Sequence, residues 1–400
     1  MKKILLISLS FLILYTTFAC IVLSTPSDIL YLLNWGEYID EELVRQFEEQ
    51  FHCQVIEEDV TSSEAMYQKI TSKTTSYDVA IPSDYTVTEL YEEGYLKELD
   101  VTNVALKNLS SYQDIFQEDL NDLIKKDMVD KEGNHFSSYF MPYFYGSYCL
   151  LYSEKKEDVK EVIKENGFAS LYDRSLYKED VRLGMYSNAR WIVSSYLLAK
   201  GYDPNITSFD GVLEDDLSDD VKQAIVDSLK TVRFDEFGDD SLKRNIANGS
   251  LDVCFTQSGD FYDVLYLSLQ QKQKNISFSM NIPKKTAAFF DSMVIPSTCH
   301  DEKLANEFIN YMLNPNVAYQ NARTIGYSPT LKSVSDLFKE DASRGVNYYE
   351  DDSFSYSLKD FLSDYPLYLD PLKNAESFTL LKPKSKDYLT TCETIFNNLA

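Results

Sequence analysis

Four hundred residues exceed what one ordinary hydrophobic core organises, so two domains of roughly 150 to 200 residues are expected, and a hydrophobic fraction of 44% is that of a folded globular chain. Sixty-four acidic residues against 38 basic ones, a net charge of −26, argue against a nucleic-acid partner, because neutralising phosphates takes clustered Lys and Arg. The same balance favours a cationic ligand, whose local concentration a negative field raises.

Lys2-Lys3 followed by an uncharged stretch over residues 4–23 reads as an export signal, a positive n-region before an apolar h-region. Thr17-Phe18-Ala19-Cys20 resembles a bacterial lipoprotein cleavage site, with Cys20 as the acylated residue and Thr17 where that pattern usually has Leu. An uncut segment of this length also serves as a single membrane anchor. Either outcome makes residues 1–24 a signal or anchor segment and tethers the rest to the outer face of a membrane.

Residues 29–33 form an apolar run that predicts a buried strand, and Asn34-Trp35-Gly36-Glu37-Tyr38 follows as a loop. A Trp, a carboxylate and a Tyr within four positions suit an organic cation: aromatic faces attract it, and the carboxylate accepts its N–H bonds. A core Trp with two solvated neighbours gives the same pattern, so both readings stand at this point. Asp40 then caps a helix with Leu43, Val44, Phe47 and Phe51 on one face. A strand at 54–56, a helix at 64–70 and a strand at 77–81 come next, the last ending in Pro82-Ser83-Asp84-Tyr85. A helix marked by Val87, Leu90 and Tyr91 closes at Gly94. Strand and helix alternate, which predicts α/β architecture with a largely parallel sheet. Ligands in such sheets bind beyond the carboxyl ends of the strands, so the 34–38 and 83–85 loops share a rim; plain helix capping is the competing role for Ser83-Asp84.

Residues 99–132 are polar and read as helical surface. The aromatic run Tyr139, Phe140, Tyr143, Phe144, Tyr145 and Tyr148, expected to break at Pro142, suits a cleft wall or a packed strand. The α/β pattern resumes with a strand at 182–186 and a helix at 192–200 stopped by Gly201. A strand at 251–255 ends in Gln257-Ser258-Gly259-Asp260 before a helix at 261–267, and a further strand spans 276–282. Residues 287–296 place Asp291 between two Phe residues and Met-Val-Ile. That carboxylate is expensive to desolvate unless a cation or a hydrogen-bond donor meets it, and the competing readings are an internal Arg or Lys partner or a helix cap. An amphipathic helix at 302–313, Pro315 opening the next, and Thr324-Ile325-Gly326-Tyr327 follow. Residues 332–400 read as mostly helical and acidic, with no legible chemistry.

Beyond Cys20, cysteines at 53, 149, 254, 299 and 392 include no Cys-x-x-Cys, and no Gly-x-Ser-x-Gly, phosphate-cradling Gly-rich loop or His-Glu-x-x-His occurs. No cofactor, metal or catalytic set is expected.

Asn-Trp-x-Glu-Tyr at 34–38, Tyr-Asp-Val-x-x-Pro-Ser-x-Tyr at 77–85, Ser-Gly-Asp at 258–260, Phe-Phe-Asp-Ser at 289–292 and Thr-Ile-Gly-Tyr at 324–327 stand in the order and approximate spacing of one family. The chain thereby resembles the spermidine/putrescine-binding proteins of polyamine ABC importers. That resemblance implies the type II periplasmic-binding-protein fold, two α/β lobes closing on a ligand cleft, with residues 28–140 plus 284–323 in lobe 1 and 141–283 plus 324–400 in lobe 2. It implies that Trp35, Glu37, Tyr38, Ser83, Tyr85, Asp260, Phe289, Asp291 and Tyr327 line the cleft, with Glu37, Asp260 and Asp291 as ammonium partners. Asn188 and Trp191 stand where the family usually has carboxylates, and Gln257 where it often has a Trp. The implied partners are putrescine or spermidine and a permease with a cytoplasmic ATPase. The alternatives are the same fold holding another cationic or small organic solute and, from a different class, an extracellular enzyme or adhesin.

Overall fold

The computed structural model describes residues 28–100, 115–178, 180–205, 219–272 and 276–397; the export segment and Cys20 lie outside them. Strand β1 (Asp28–Trp35) leads into helix α1 (Glu41–Phe51), which Asp40 caps by accepting from the Glu42 N–H at 2.9 Å while Leu43 and Phe47 turn inward. β2 (Cys53–Val60), α2 (Ser63–Ser72) and β3 (Val79–Ala80) continue the alternation, followed by α3 (Asp84–Glu92) and β4 (Leu96–Lys97). The three main strands pair in the order β2-β1-β3, all parallel, as the repeated strand-helix pattern requires.

After α4 (Glu118–Asp127), the aromatic run becomes β5 (Met141–Ser153), thirteen residues buried along their whole length. The expected break at Pro142 does not occur. Pro142 lies opposite Ser292, next to a register shift between Asp291 and Ser292, where the ladder is already interrupted and a missing N–H costs little. A second α/β region follows: α5 (Val159–Asn166), β6 (Leu183–Tyr186), α6 (Ala189–Ala199), α7 (Asp219–Val232), β7 (Glu236–Gly238), α8 (Asp240–Asn248), β8 (Val253–Gln257), α9 (Ser258–Gln270) and β9 (Phe278–Asn281).

Strand β10 (Lys285–Met293) joins the two regions. Its residues 288–293 pair antiparallel with β5 in the larger sheet, while Asp291 also bridges to Ser83, and Val294, just past the strand, bridges to Ala80 of β3 in the smaller one. Side chains alternate across it, so Phe290 enters the core cluster around Leu32 and Phe47, and Phe289 the cluster around Ile192 and Phe255. β11 (Ile295–Pro296), α10 (Glu302–Met312), α11 (Pro315–Ile325) and β12 (Ser328–Pro329) complete the return.

The C-terminal region departs from its helical reading. Between α12 (Lys332–Arg344), α13 (Leu358–Asp364) and α14 (Lys386–Asn397) it carries β13 (Asn347–Glu350), β14 (Ser355–Ser357) and β15 (Ser377–Leu380). β15 adds a parallel edge to β10, giving the order β15-β10-β5-β8-β6-β7. Ser377-Phe378-Thr379-Leu380 alternates polar and apolar, but over only four residues, and the long-range pairing with β10 makes them a strand. The five described cysteines are all buried and unpaired, and no described helix is long and apolar enough to cross a membrane.

Candidate functional site

A cavity of about 630 Å³ opens where the carboxyl ends of β1 and β3 face β6, β8 and the starts of α6 and α9. Its first wall is the loop after β1. Glu37 takes a left-handed conformation, φ 56°, which a non-glycine residue rarely adopts, and presents its exposed carboxylate at the rim. The Trp35 indole donates to the Ile81 carbonyl at 2.8 Å, which fixes the ring against the next strand. Behind the loop, Tyr143 donates to the Tyr38 carbonyl, Asn321 donates to the Tyr143 hydroxyl, and the Asn321 amide oxygen accepts from the Asp40 N–H. The loop is therefore held from within.

Asp291 forms the floor. It is 6% exposed, and its two carboxylate oxygens accept from the Tyr38 hydroxyl at 2.7 Å and the Ser83 hydroxyl at 2.6 Å. No Lys or Arg among the described residues pairs with it, and burial pushes its carboxyl up to about 6 against the pull of those two donors. Neither competing role for Asp291, internal ion pair or helix cap, is what the structure has. Ser83 sits at the N-cap of α3 yet makes no capping bond, since its hydroxyl is committed to Asp291. Asp84, fully buried and accepting from the Phe290 N–H at 3.0 Å, is pushed up to about 8 by desolvation.

The opposite wall comes from the larger sheet. Asn188 caps α6 by accepting from the Trp191 N–H at 3.0 Å, and the Trp191 ring packs 4.8 Å from Tyr186 and 5.3 Å from Tyr148. At the start of α9, Asp260 accepts from Thr256 and from the Gln257 N–H, so it also serves as a cap. Tyr327 closes the back of the cavity: its ring meets Tyr38 edge-on at 5.1 Å and its hydroxyl lies 3.3 Å from both Gln257 and Asp260. Two glycines permit this. Gly326 ends α11 with φ 86°, and a Cβ on Gly259 would come within 2.4 Å of the Tyr327 ring.

The structure thus brings together Trp35, Glu37, Tyr38, Ser83, Asn188, Trp191, Gln257, Asp260, Asp291 and Tyr327. Two expected lining residues stand elsewhere. Phe289 is 5% exposed, in the core behind Tyr327, with its ring in the space that the missing side chain of Gly146 leaves open. Tyr85 turns away, donating to the Ser63 hydroxyl at 2.6 Å with the Arg190 guanidinium 4.1 Å over its ring, and faces a neighbouring cavity of about 770 Å³. Sequence reading missed Ser62, Ser63, Tyr186, Asp239, Asp263 and Lys243, all in the lining. Asp263 was detectable as the i+3 neighbour of Asp260 on one helix face. Lys243, on α8, carries no local signal. Its ammonium pairs with Asp263 and lies 4.0 Å from Asp260, and it is the only cationic side chain among the described lining residues.

A family model of bacterial extracellular solute-binding proteins matches residues 42–346. The chain belongs to that family. As a solute-binding protein it has an extracytoplasmic address, and its family works by holding a solute rather than by catalysis. It is 26% identical over 326 residues to the spermidine/putrescine-binding periplasmic protein of Escherichia coli strain K12, covering 80% of this chain and 83% of that one. A putrescine/cadaverine-binding protein of Pseudomonas aeruginosa is 25% identical over 353 residues, covering 85% and 91%. Among solved structures, a putative spermidine/putrescine ABC transporter from Listeria monocytogenes superposes with a TM-score of 0.68 at 26% identity, over 93% of this chain and 99% of that one. The solute-binding protein shares with these neighbours the two-lobe fold, and the cavity lies between its lobes.

Proposed function

We propose that this protein captures a polyamine, putrescine or spermidine, outside the cytoplasm by closing its lobes on it and delivers it to a permease with a cytoplasmic ATPase. The observation that carries the reading is Asp291: a buried carboxylate, held by two hydroxyl donors and lacking an internal cation, at the bottom of a ring-walled cavity. Ionised and alone, such a group carries a desolvation cost that an arriving ammonium relieves. Trp35, Tyr38, Trp191 and Tyr327 flank the methylene chain, and Glu37 meets ammonium at the rim. The similarity to polyamine-binding relatives supports the same solute class. In this reading the lobes comprise residues 28–140 plus 284–323 and 141–283 plus 324–400, and a lipid on Cys20 or an uncleaved N-terminal segment tethers them to the membrane.

Calorimetry with putrescine, spermidine and spermine tests the proposal. Removing one member of a buried ion pair costs on the order of 3 to 5 kcal/mol, so Asp291→Asn lowers polyamine affinity by roughly a hundredfold or more. Parent affinity in that variant refutes the assignment. A different cationic solute is the second reading, favoured by Asn188 and Gln257 at positions where polyamine-binding relatives are expected to carry charge or a ring. A fluorescence titration against a panel of amines separates the two.

A further inference from the structure

We infer that Lys243 is a tethered ammonium filling the cation subsite on the second lobe, so that the cleft selects a short diamine over a longer triamine. This deepens the polyamine reading and rests on it.

Asp260 and Asp263 are three residues apart on α9 and present both carboxylates to the cavity, where a ligand's far ammonium would be received. Lys243 reaches them from α8. Its side chain is 12% exposed, against 8% for Asp260 and 30% for Asp263, so the cluster is largely withdrawn from water and differs from the screened ion pairs of the surface. Asp260 is further tied to Thr256, the Gln257 N–H and the Tyr327 hydroxyl, which fixes where the carboxylate points. The subsite is therefore complete without ligand. An ammonium entering it has to share two carboxylates with a like charge a few ångströms away, in surroundings where that repulsion is poorly screened.

The floor is built differently. Asp291 has hydroxyl donors and no lysine or arginine partner among the described residues. Asp291 and Asp260 are linked through the Tyr38 and Tyr327 rings, which stand 5.1 Å apart. A diamine anchored at Asp291 keeps its second ammonium toward the wet rim at Glu37. A triamine extended along the cleft brings a third charge toward Lys243 and is disfavoured.

Titration calorimetry of the full chain with putrescine and spermidine, repeated on Lys243→Met, tests this. The wild type binds putrescine at least tenfold more tightly than spermidine. Lys243→Met gains at least tenfold for spermidine with less than a threefold change for putrescine, which erases the preference. A wild type that binds spermidine as tightly as putrescine, or a variant with an unchanged ratio, overturns the inference and leaves the polyamine reading standing. Binding of neither amine by the wild type overturns that reading and this inference with it. The wild-type ranking needs no substitution, so it can overturn the inference even if Lys243→Met does not fold, and Lys243→Gln, which also removes the charge, then takes the place of that variant.

Discussion

Asp291 sets how the protein responds to pH. Its carboxyl is raised to about 6, and that of the neighbouring Asp84 to about 8, in both cases first by burial. Folded values above the unfolded one, about 3.9, mean that the folded state holds more protons, so the stabilisation is full below pH 4 and is lost as pH rises through 6 and then 8. The ligand-free unfolding midpoint therefore falls between pH 5 and pH 8, and saturating polyamine flattens the decline by supplying the missing charge. Affinity runs the opposite way. An ammonium requires ionised Asp291, and a carboxyl titrating near 6 is roughly one-tenth ionised at pH 5, so affinity at pH 5 is about tenfold weaker than at pH 7.5. Equal affinity at the two values in calorimetry would remove Asp291 from the binding site. Asp291 was legible in the sequence because its apolar flanks are contiguous. The commitment of Ser83 to it was not, since the two lie 208 positions apart.

At the level of elements, the strand-to-helix turns build the cavity, and each places one polar group where the backbone changes direction. In the turn from β8 into α9, Gly259 leaves space for the Tyr327 ring. Gly259→Ala is a sharp probe, since alanine favours a helix by roughly 1 kcal/mol over glycine and any loss must come from the collision. The expected result is about a tenfold loss of polyamine affinity as Tyr327 is pushed aside, a cost of about 1.4 kcal/mol. A variant with parent affinity and a higher unfolding midpoint would show that Tyr327 has no part in binding. Such turns account for how much could be read in advance. Apolar runs ending in Trp35-Gly36-Glu37-Tyr38 or Ser258-Gly259-Asp260 announce a strand, a loop and a helix from local pattern alone. β15 alternates over only four residues and depends on its pairing with β10, and the outward turn of Tyr85 depends on Arg190, more than a hundred positions away on α6, so neither was readable from local pattern.

Across the whole molecule, β10 belongs to the larger sheet and is tied to the smaller one through the bridges of Asp291 to Ser83 and of the adjacent Val294 to Ala80. Closure over a solute changes the surroundings of both tryptophans in the chain, because Trp35 and Trp191 stand on opposite walls. Intrinsic emission therefore shifts on saturation with polyamine, and Trp35→Phe and Trp191→Phe each abolish part of the change. A signal carried wholly by one ring would mean that the ligand engages a single lobe.

The buried thiols bear on a different question. Cys53, Cys149, Cys254, Cys299 and Cys392 sit in the interior without bridges, and burial pushes the thiols of Cys149 and Cys254 well above their ordinary range. The described fold therefore owes nothing to an oxidant, and a reductant leaves its melting temperature unchanged. Alkylating reagents reach these sulfurs only when the interior opens, so their labelling rate is a clock for spontaneous unfolding, and a bound solute slows it.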